Sequence, residues 1–245
     1  MQNFKKQSGF TLVEIAIVLV IIGLLLGGIL KGQELINSAR VRNLADQSSA
    51  TQAAYYGFID RYRQVPGDWV AAQATIGIGQ AIVSPSAAGD GAPGNGRIDE
   101  GSYDEASGVW EQLSKAGFIS GNYVGGAADA DDYRDGTRAP VNAFNGSVVL
   151  TRLDNTDYQG VGGMRLSYFF GGQVPAPIMR ELDVKLDDGV PDTGILRAVV
   201  DGGADNLDVI DVTSATDCVI AAAAPDPAAW DIATGSQDCG GIALY

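Results

Sequence analysis

The sequence contains no histidine. A Ser-His-Asp triad, a Cys-His dyad and a His-ligated zinc site are therefore excluded. Cysteine is almost absent too, with only Cys218 and Cys239. No proline precedes Pro66, so no helix breaker of that kind interrupts the first part of the chain. Basic side chains are scarce: 16 Lys and Arg stand against 30 Asp and Glu, for a net charge of −14. That acid excess disfavours nucleic-acid backbones and anionic membrane surfaces as partners. What remains is ordinary globular material. Of 245 residues, 46% are hydrophobic, which excludes wholesale disorder. The length admits one domain with an attachment, or two small domains.

The charge is unevenly placed. Residues 1–9 hold Lys5 and Lys6 and no acid, residues 10–63 are nearly balanced, and residues 64–245 hold 9 bases and 26 acids. The chain reads as a basic leader, a neutral stem and an acidic head. Phe10 to Leu30 is a run of 21 residues with a single charge, Glu14. As a helix it would be about 31 Å long, enough to cross a bilayer core. A buried core helix and a cleaved secretory signal are the competing readings. The run is unusually long and apolar for the first. For the second, no small-residue A-x-A pattern follows it; the chain continues as Lys31-Gly32-Gln33-Glu34. Lys5 and Lys6 place the N-terminus in the cytoplasm and the acidic head across the membrane, although Arg40 and Arg42 blunt that bias. A carboxylate within such a span costs on the order of 2.5–3.5 kcal/mol on insertion scales. The next Lys or Arg after Glu14 is Lys31. A partner from another subunit, or a newly made amine, is therefore expected for Glu14, with snorkelling to the interface as the bland alternative.

Lys5-Lys6-Gln7-Ser8-Gly9-Phe10-Thr11-Leu12-Val13-Glu14 resembles the processing signal of type IV pilins and type II secretion pseudopilins. The resemblance implies that a prepilin peptidase cuts between Gly9 and Phe10 and that the new N-terminus, Phe10, is methylated. It also implies that Glu14 is kept for assembly, where it meets the freed amine of a neighbouring subunit. The implied partners are other pilin or pseudopilin subunits, the peptidase and an inner-membrane assembly platform, with no nucleic acid. The implied location is the inner membrane, single-pass, with the head in the periplasm or in an extracellular filament.

The expected fold is α+β, pilin-like: a long N-terminal helix, transmembrane in its first half, packed on an antiparallel β-sheet head. The segments are a leader (1–9), a transmembrane helix and filament core (10–30), an amphipathic stem helix (31–63) and an acidic head (64–245). The helix, from Phe10 to about Arg63, would be near 80 Å long. Val41, Leu44, Ser48, Thr51, Tyr55, Phe58 and Tyr62 recur at spacings of three and four, as a packing face should. Gly23 with Gly27 and Gly28 with Gly32 form two G-x-x-x-G spacings, which permit close helix approach in lipid. Pro66-Gly67 ends the helix. Residues 76–108 read as irregular and residues 109–119 as a short amphipathic helix. Four strands are expected over 147–153, 164–170, 181–186 and 195–200. Several stretches also resemble recurring patterns in pilin-like heads: Tyr62 with Pro66-Gly67-Asp68, Gly94-Asn95-Gly96 with Ile98, Trp110-Glu111-Gln112-Leu113, Ala116-Gly117-Phe118-Ile119 and Lys185 to Gly194.

In an oxidising periplasm Cys218 and Cys239 are expected to form a disulfide, a feature many pilins place around a C-terminal loop; two free buried thiols are the alternative. Two acidic loops offer the oxygens that calcium takes: Asp90, Asn95 and Asp99-Glu100 in one, and Asp183, Asp187, Asp188 and Asp192 in the other. Neither has EF-hand spacing, and Asp and Gly are also ordinary turn formers. Calcium is thus the only cofactor suggested. The expected function is structural, a subunit of a type IV pilus or a type II secretion pseudopilus, and not an enzyme. The alternative is a single-pass, membrane-anchored periplasmic binding protein or enzyme.

Overall fold

The computed structural model describes residues 12–86, 92–153, 157–200 and 215–245. The chain divides into two compact units, one ending at Arg40 and one running from Val41 to Tyr245. A single helix, α1 (Leu12–Tyr62), supplies residues to both. It continues without a break through Gly23, Gly27, Gly28 and Gly32.

Up to Arg40 the side chains of α1 are almost all exposed. From Val41 onward its buried residues are Val41, Leu44, Ser48, Thr51, Ala54, Tyr55 and Phe58. This is the expected stripe with Ala54 added and Tyr62 half-buried at its end. Phe58 packs against Tyr62, Trp69 and Phe118, with ring centroids 4.7–6.1 Å apart. Arg63 turns into the left-handed region at φ 55, and Pro66-Gly67 follows. A side chain at Gly67 would strike Val109 and the Glu105 carbonyl, and its φ of +87 is one that glycine tolerates.

The head is α+β, as expected. Helices α2 (Ala71–Ile78), α3 (Tyr103–Lys115) and α4 (Ala130–Tyr133) precede strands β1 (Val149–Leu153) and β2 (Arg165–Phe169). Then come α5 (Ala176–Leu186), β3 (Leu196–Ala198), α6 (Ala215–Cys218), β4 (Val219–Ile220), β5 (Ala229–Trp230) and β6 (Gly241–Leu244). The main sheet is antiparallel with order β1-β2-β6-β3, and β4 and β5 form a separate two-stranded pair. The last strand is thus an interior one: Leu244 lies opposite Ser167 on β2, and Ala243 lies opposite Leu196 on β3. The terminal Tyr245 accepts from the Ser48 hydroxyl (2.6 Å) and donates to the Ser48 carbonyl (3.0 Å), tying that strand to α1. Residues of α1, α3, α5 and all four strands of the main sheet share one hydrophobic core.

Three expectations need correction. Residues 181–186 are not a strand but the end of α5. The alternation Leu182, Val184, Leu186 imitates a strand, yet Val184 is exposed while Ile178, Met179 and Leu182 are buried at helical spacing. Residues 76–108 are not wholly irregular, since α2 ends within them and α3 begins at Tyr103. The expected helix over 109–119 therefore starts six residues earlier and ends at Lys115. Its start signal is Ser102, whose side chain accepts from the Glu105 N–H at 3.1 Å, the first half of a capping box.

Candidate functional site

The N-terminal segment is the first candidate. Leu12 to Leu30 presents its large apolar side chains outward, with Leu12 91% and Leu24 73% exposed. Among the described residues α1 is the one helix long and apolar enough to cross a membrane. That makes it compatible with membrane anchoring. Glu14 sits in its first turn with its side chain exposed. Gly9 and Phe10 lie outside the described residues. At Gly23, Gly27, Gly28 and Gly32 an added Cβ would meet nothing within 4 Å. These glycines therefore serve no close contact among the described residues of this chain.

The first acidic loop is organised by Asp68, in the Pro-Gly-Asp turn after α1. Its carboxylate is buried and accepts the backbone N–H groups of Gly94 (2.6 Å), Asn95 (3.0 Å) and Gly96 (2.8 Å). Asp99 is paired with Arg97 at 2.6 Å and accepts from Ala92 and Asn95. Burial opposes ionisation of Asp99, but the Arg97 guanidinium and the two amide donors outweigh it and hold the pKa below the usual range. The carboxylate oxygens of Asp68 and Asp99 are thus already engaged by donors on the chain, and Asn95 and Asp99 meet each other through one of those bonds. Asp90 lies outside the described residues.

Glu105, the third residue of α3, is fully buried behind this loop. Oε2 accepts the Asp99 N–H at 2.6 Å, and Oε1 has no hydrogen-bond partner. Burial, reinforced by the Asp99, Asp68 and Asp104 charges, raises its pKa to about 7 against the pull of the Asp99 N–H. Sequence reading did not single this residue out. Its partners are brought together only by the fold, although the Ser102-to-Glu105 spacing is a visible signal.

The Trp110-Glu111-Gln112-Leu113 stretch is a structural brace. Every residue of α3 from Asp104 to Leu113 is buried. The Trp110 indole donates to the Tyr133 hydroxyl (2.7 Å), which donates to the Val148 carbonyl (2.9 Å). Glu111 accepts the N–H groups of Val83 and Ser84 (2.9 Å each) and pairs with Lys115 at 2.6 Å. Gln112 accepts from the Gly67 N–H and donates to the Trp69 and Ser84 carbonyls. The Tyr133 hydroxyl, Glu111 and Gln112 thereby satisfy loop backbone groups that lack a regular partner.

The second acidic loop joins α5 to β3. Asp183, Asp187 and Asp188 place one carboxylate oxygen each within 4.8 Å of the other two. Asp192 is not part of that cluster. Asp187 accepts from the Ile195 and Leu196 N–H groups, and Asp188 accepts from Val190 N–H (2.9 Å) and the Thr193 hydroxyl (2.6 Å). Gly194, at φ +70, lies directly against the Asp187 carboxylate, where a Cβ would collide. Asp183 is fully buried beneath the loop. Further along the chain, Cys218 and Cys239 form the expected disulfide, and no free cysteine remains.

Residues 4–30 match the model of the prokaryotic N-terminal methylation motif, the signal of type IV pilins and pseudopilins. The motif implies processing by a prepilin peptidase and assembly with other pilin-type subunits. No curated protein and no solved structure matches the chain.

Proposed function

We propose that this chain is a structural subunit of a type IV pilus or a type II secretion pseudopilus, made as a precursor and assembled through α1. The observation that carries this reading is the methylation motif over residues 4–30, which runs into a helix with an exposed apolar surface. Cleavage between Gly9 and Phe10 frees an α-amino group at the head of that helix, and methylation of Phe10 keeps it basic. In the filament that amine meets Glu14 of an adjacent subunit. The pairing offsets the cost of a carboxylate in an apolar environment, about 2.5–3.5 kcal/mol, only when subunits stack in one axial register. The four glycines add a surface on which neighbouring helices approach closely. Lys5 and Lys6 keep the leader in the cytoplasm, so the acidic head lies in the periplasm until assembly. The assembly platform of the inner membrane supplies the remaining partner.

Glu14→Ala tests this reading. Cleavage and membrane insertion should persist, while incorporation into filaments, read by shearing and immunoblotting, should fall at least tenfold. A plain membrane-anchored enzyme or binding protein would be indifferent to the change. Undiminished incorporation of the Glu14→Ala chain rejects the proposed role of this carboxylate.

A further inference from the structure

We propose that Asn95-Gly96 is a self-deamidating site, at which Asn95 is converted to aspartate or isoaspartate with Asp68 as the general base. The chain holds two Asn-Gly pairs, Asn95-Gly96 and Asn145-Gly146. In any such pair the glycine nitrogen can attack the asparagine Cγ, because no side chain on the glycine obstructs the approach. The fold treats the two pairs differently.

At Asn95 three contacts address the three atoms that react. The Gly96 nitrogen is the nucleophile, and its N–H donates to Asp68 Oδ2 at 2.8 Å. Asp68 is only 3% exposed, and a carboxylate shielded from water holds such a proton more strongly than one in solution. Asn95 Oδ1, where negative charge builds as Cγ is attacked, accepts the Arg97 N–H at 3.0 Å. Asn95 Nδ2, the leaving atom, donates to Asp99 Oδ2 at 2.8 Å, which fixes the end of the amide that meets Arg97. Asn95 and Gly96 are both exposed, so water reaches the site. The second pair lacks the base. The Gly146 N–H donates to the neutral side-chain oxygen of Asn142 at 2.9 Å, and Gly146 is buried against the Gly172 backbone.

The reaction balances with water as the sole co-reactant. Gly96 N bonds to Asn95 Cγ, its proton passes to Asp68, and the Cγ–Nδ2 bond breaks. The proton returns through solvent to Nδ2, which leaves as ammonia, and a succinimide remains. Water then opens the ring at either carbonyl to give aspartate or isoaspartate. The product places a new carboxylate beside Asp68 and Asp99 and removes the Nδ2 donor from Asp99. Loss of ammonia makes the change irreversible, so the loop that Asp68 gathers behind α1 is weakened as the chain ages.

The test incubates the full chain in detergent at neutral pH and follows both asparagines by peptide mass spectrometry, which reads the change of amide to acid. In the folded chain Asn95 should convert at least about tenfold faster than Asn145. In denaturant the fold contacts vanish, so Asn95 should slow and the two rates should converge. Asp68→Asn should cancel the advantage of Asn95 in the folded chain. If that variant fails to fold, the comparison of folded with denatured parent still decides, since a base held by the fold must accelerate Asn95 over its denatured rate. A folded Asn95 that converts no faster than Asn145, or no faster than in denaturant, overturns the proposal. So does a folded Asp68→Asn chain that converts Asn95 as fast as the parent.

Discussion

From Val41 to Phe58 helix α1 buries seven side chains, whereas from Leu12 to Leu30 it exposes all of its large apolar ones. One continuous helix therefore obeys two rules. In its second half, spacing of three and four selects the buried positions, and the polar members of the stripe have local work: Ser48 bonds Tyr245 and Thr51 donates to the Gln47 carbonyl. In its first half, no such selection is visible. Leu, Ile and Val occupy the whole circumference, as a helix solvated by lipid or by other helices requires. Folding of this chain thus constrains the second half of the helix and leaves the first to be constrained by its surroundings.

The largest effect that sharpens this contrast is a matched pair of truncations. Phe58→Ala should destabilise the head by about 3–5 kcal/mol, because it empties a fully buried aromatic site. Leu24→Ala should change the stability of the detergent-solubilised chain by less than about 0.5 kcal/mol. Denaturant titration followed by tryptophan fluorescence reads both. Equal losses would erase the distinction between the two halves. Next in size is the disulfide. Replacing Cys218 and Cys239 by Ser should cost about 3 kcal/mol on the chain-entropy model for a separation of 21 residues. That loss should appear in the head alone, with membrane insertion unchanged by fractionation.

A smaller effect concerns pH. Glu105 has a folded pKa near 7, above the 4.5 of an ordinary glutamate, so the folded state binds its proton more tightly than the unfolded state does. Its stabilising contribution is fully present below about pH 4.5 and is lost as pH rises through 7. Asp183, at about 6, acts in the same direction. The Tm should therefore fall between pH 5 and 8, and Glu105→Gln, which keeps the acceptor for the Asp99 N–H, should flatten the upper part of that slope. A parent Tm that climbs over this range would contradict the assignment. Smallest for the isolated chain is Gly27→Ala, which meets no atom within 4 Å and should be neutral or stabilising by up to about 1 kcal/mol. Its effect should appear instead as reduced filament incorporation, which would locate close helix packing between subunits.

Much of this was legible in the sequence. The apolar run, Glu14 and the packing stripe of α1 depend on local composition and period, which a chain displays directly. Strands β1, β2 and β3 were legible within a residue or two. Strand β6 was not: Gly241-Ile242-Ala243-Leu244 is short, lacks alternation and is buried at all four positions, because it lies between two strands. Helix α5 was misread because its last turn happens to alternate. The acidic loops were visible as compositions but not as chemistry. Nothing local tells that Asp68 gathers N–H groups 26–28 residues away, or that Trp230 lies against Asp183 and leaves one of its oxygens bare.

The most direct test of the assembly account is the N-terminal sequence and intact mass of the protein extracted from membranes. The account predicts a chain that begins at Phe10 and carries the mass of one added methyl group. A mature chain still beginning at Met1 would leave Glu14 without the amine proposed to meet it, and would contradict the account.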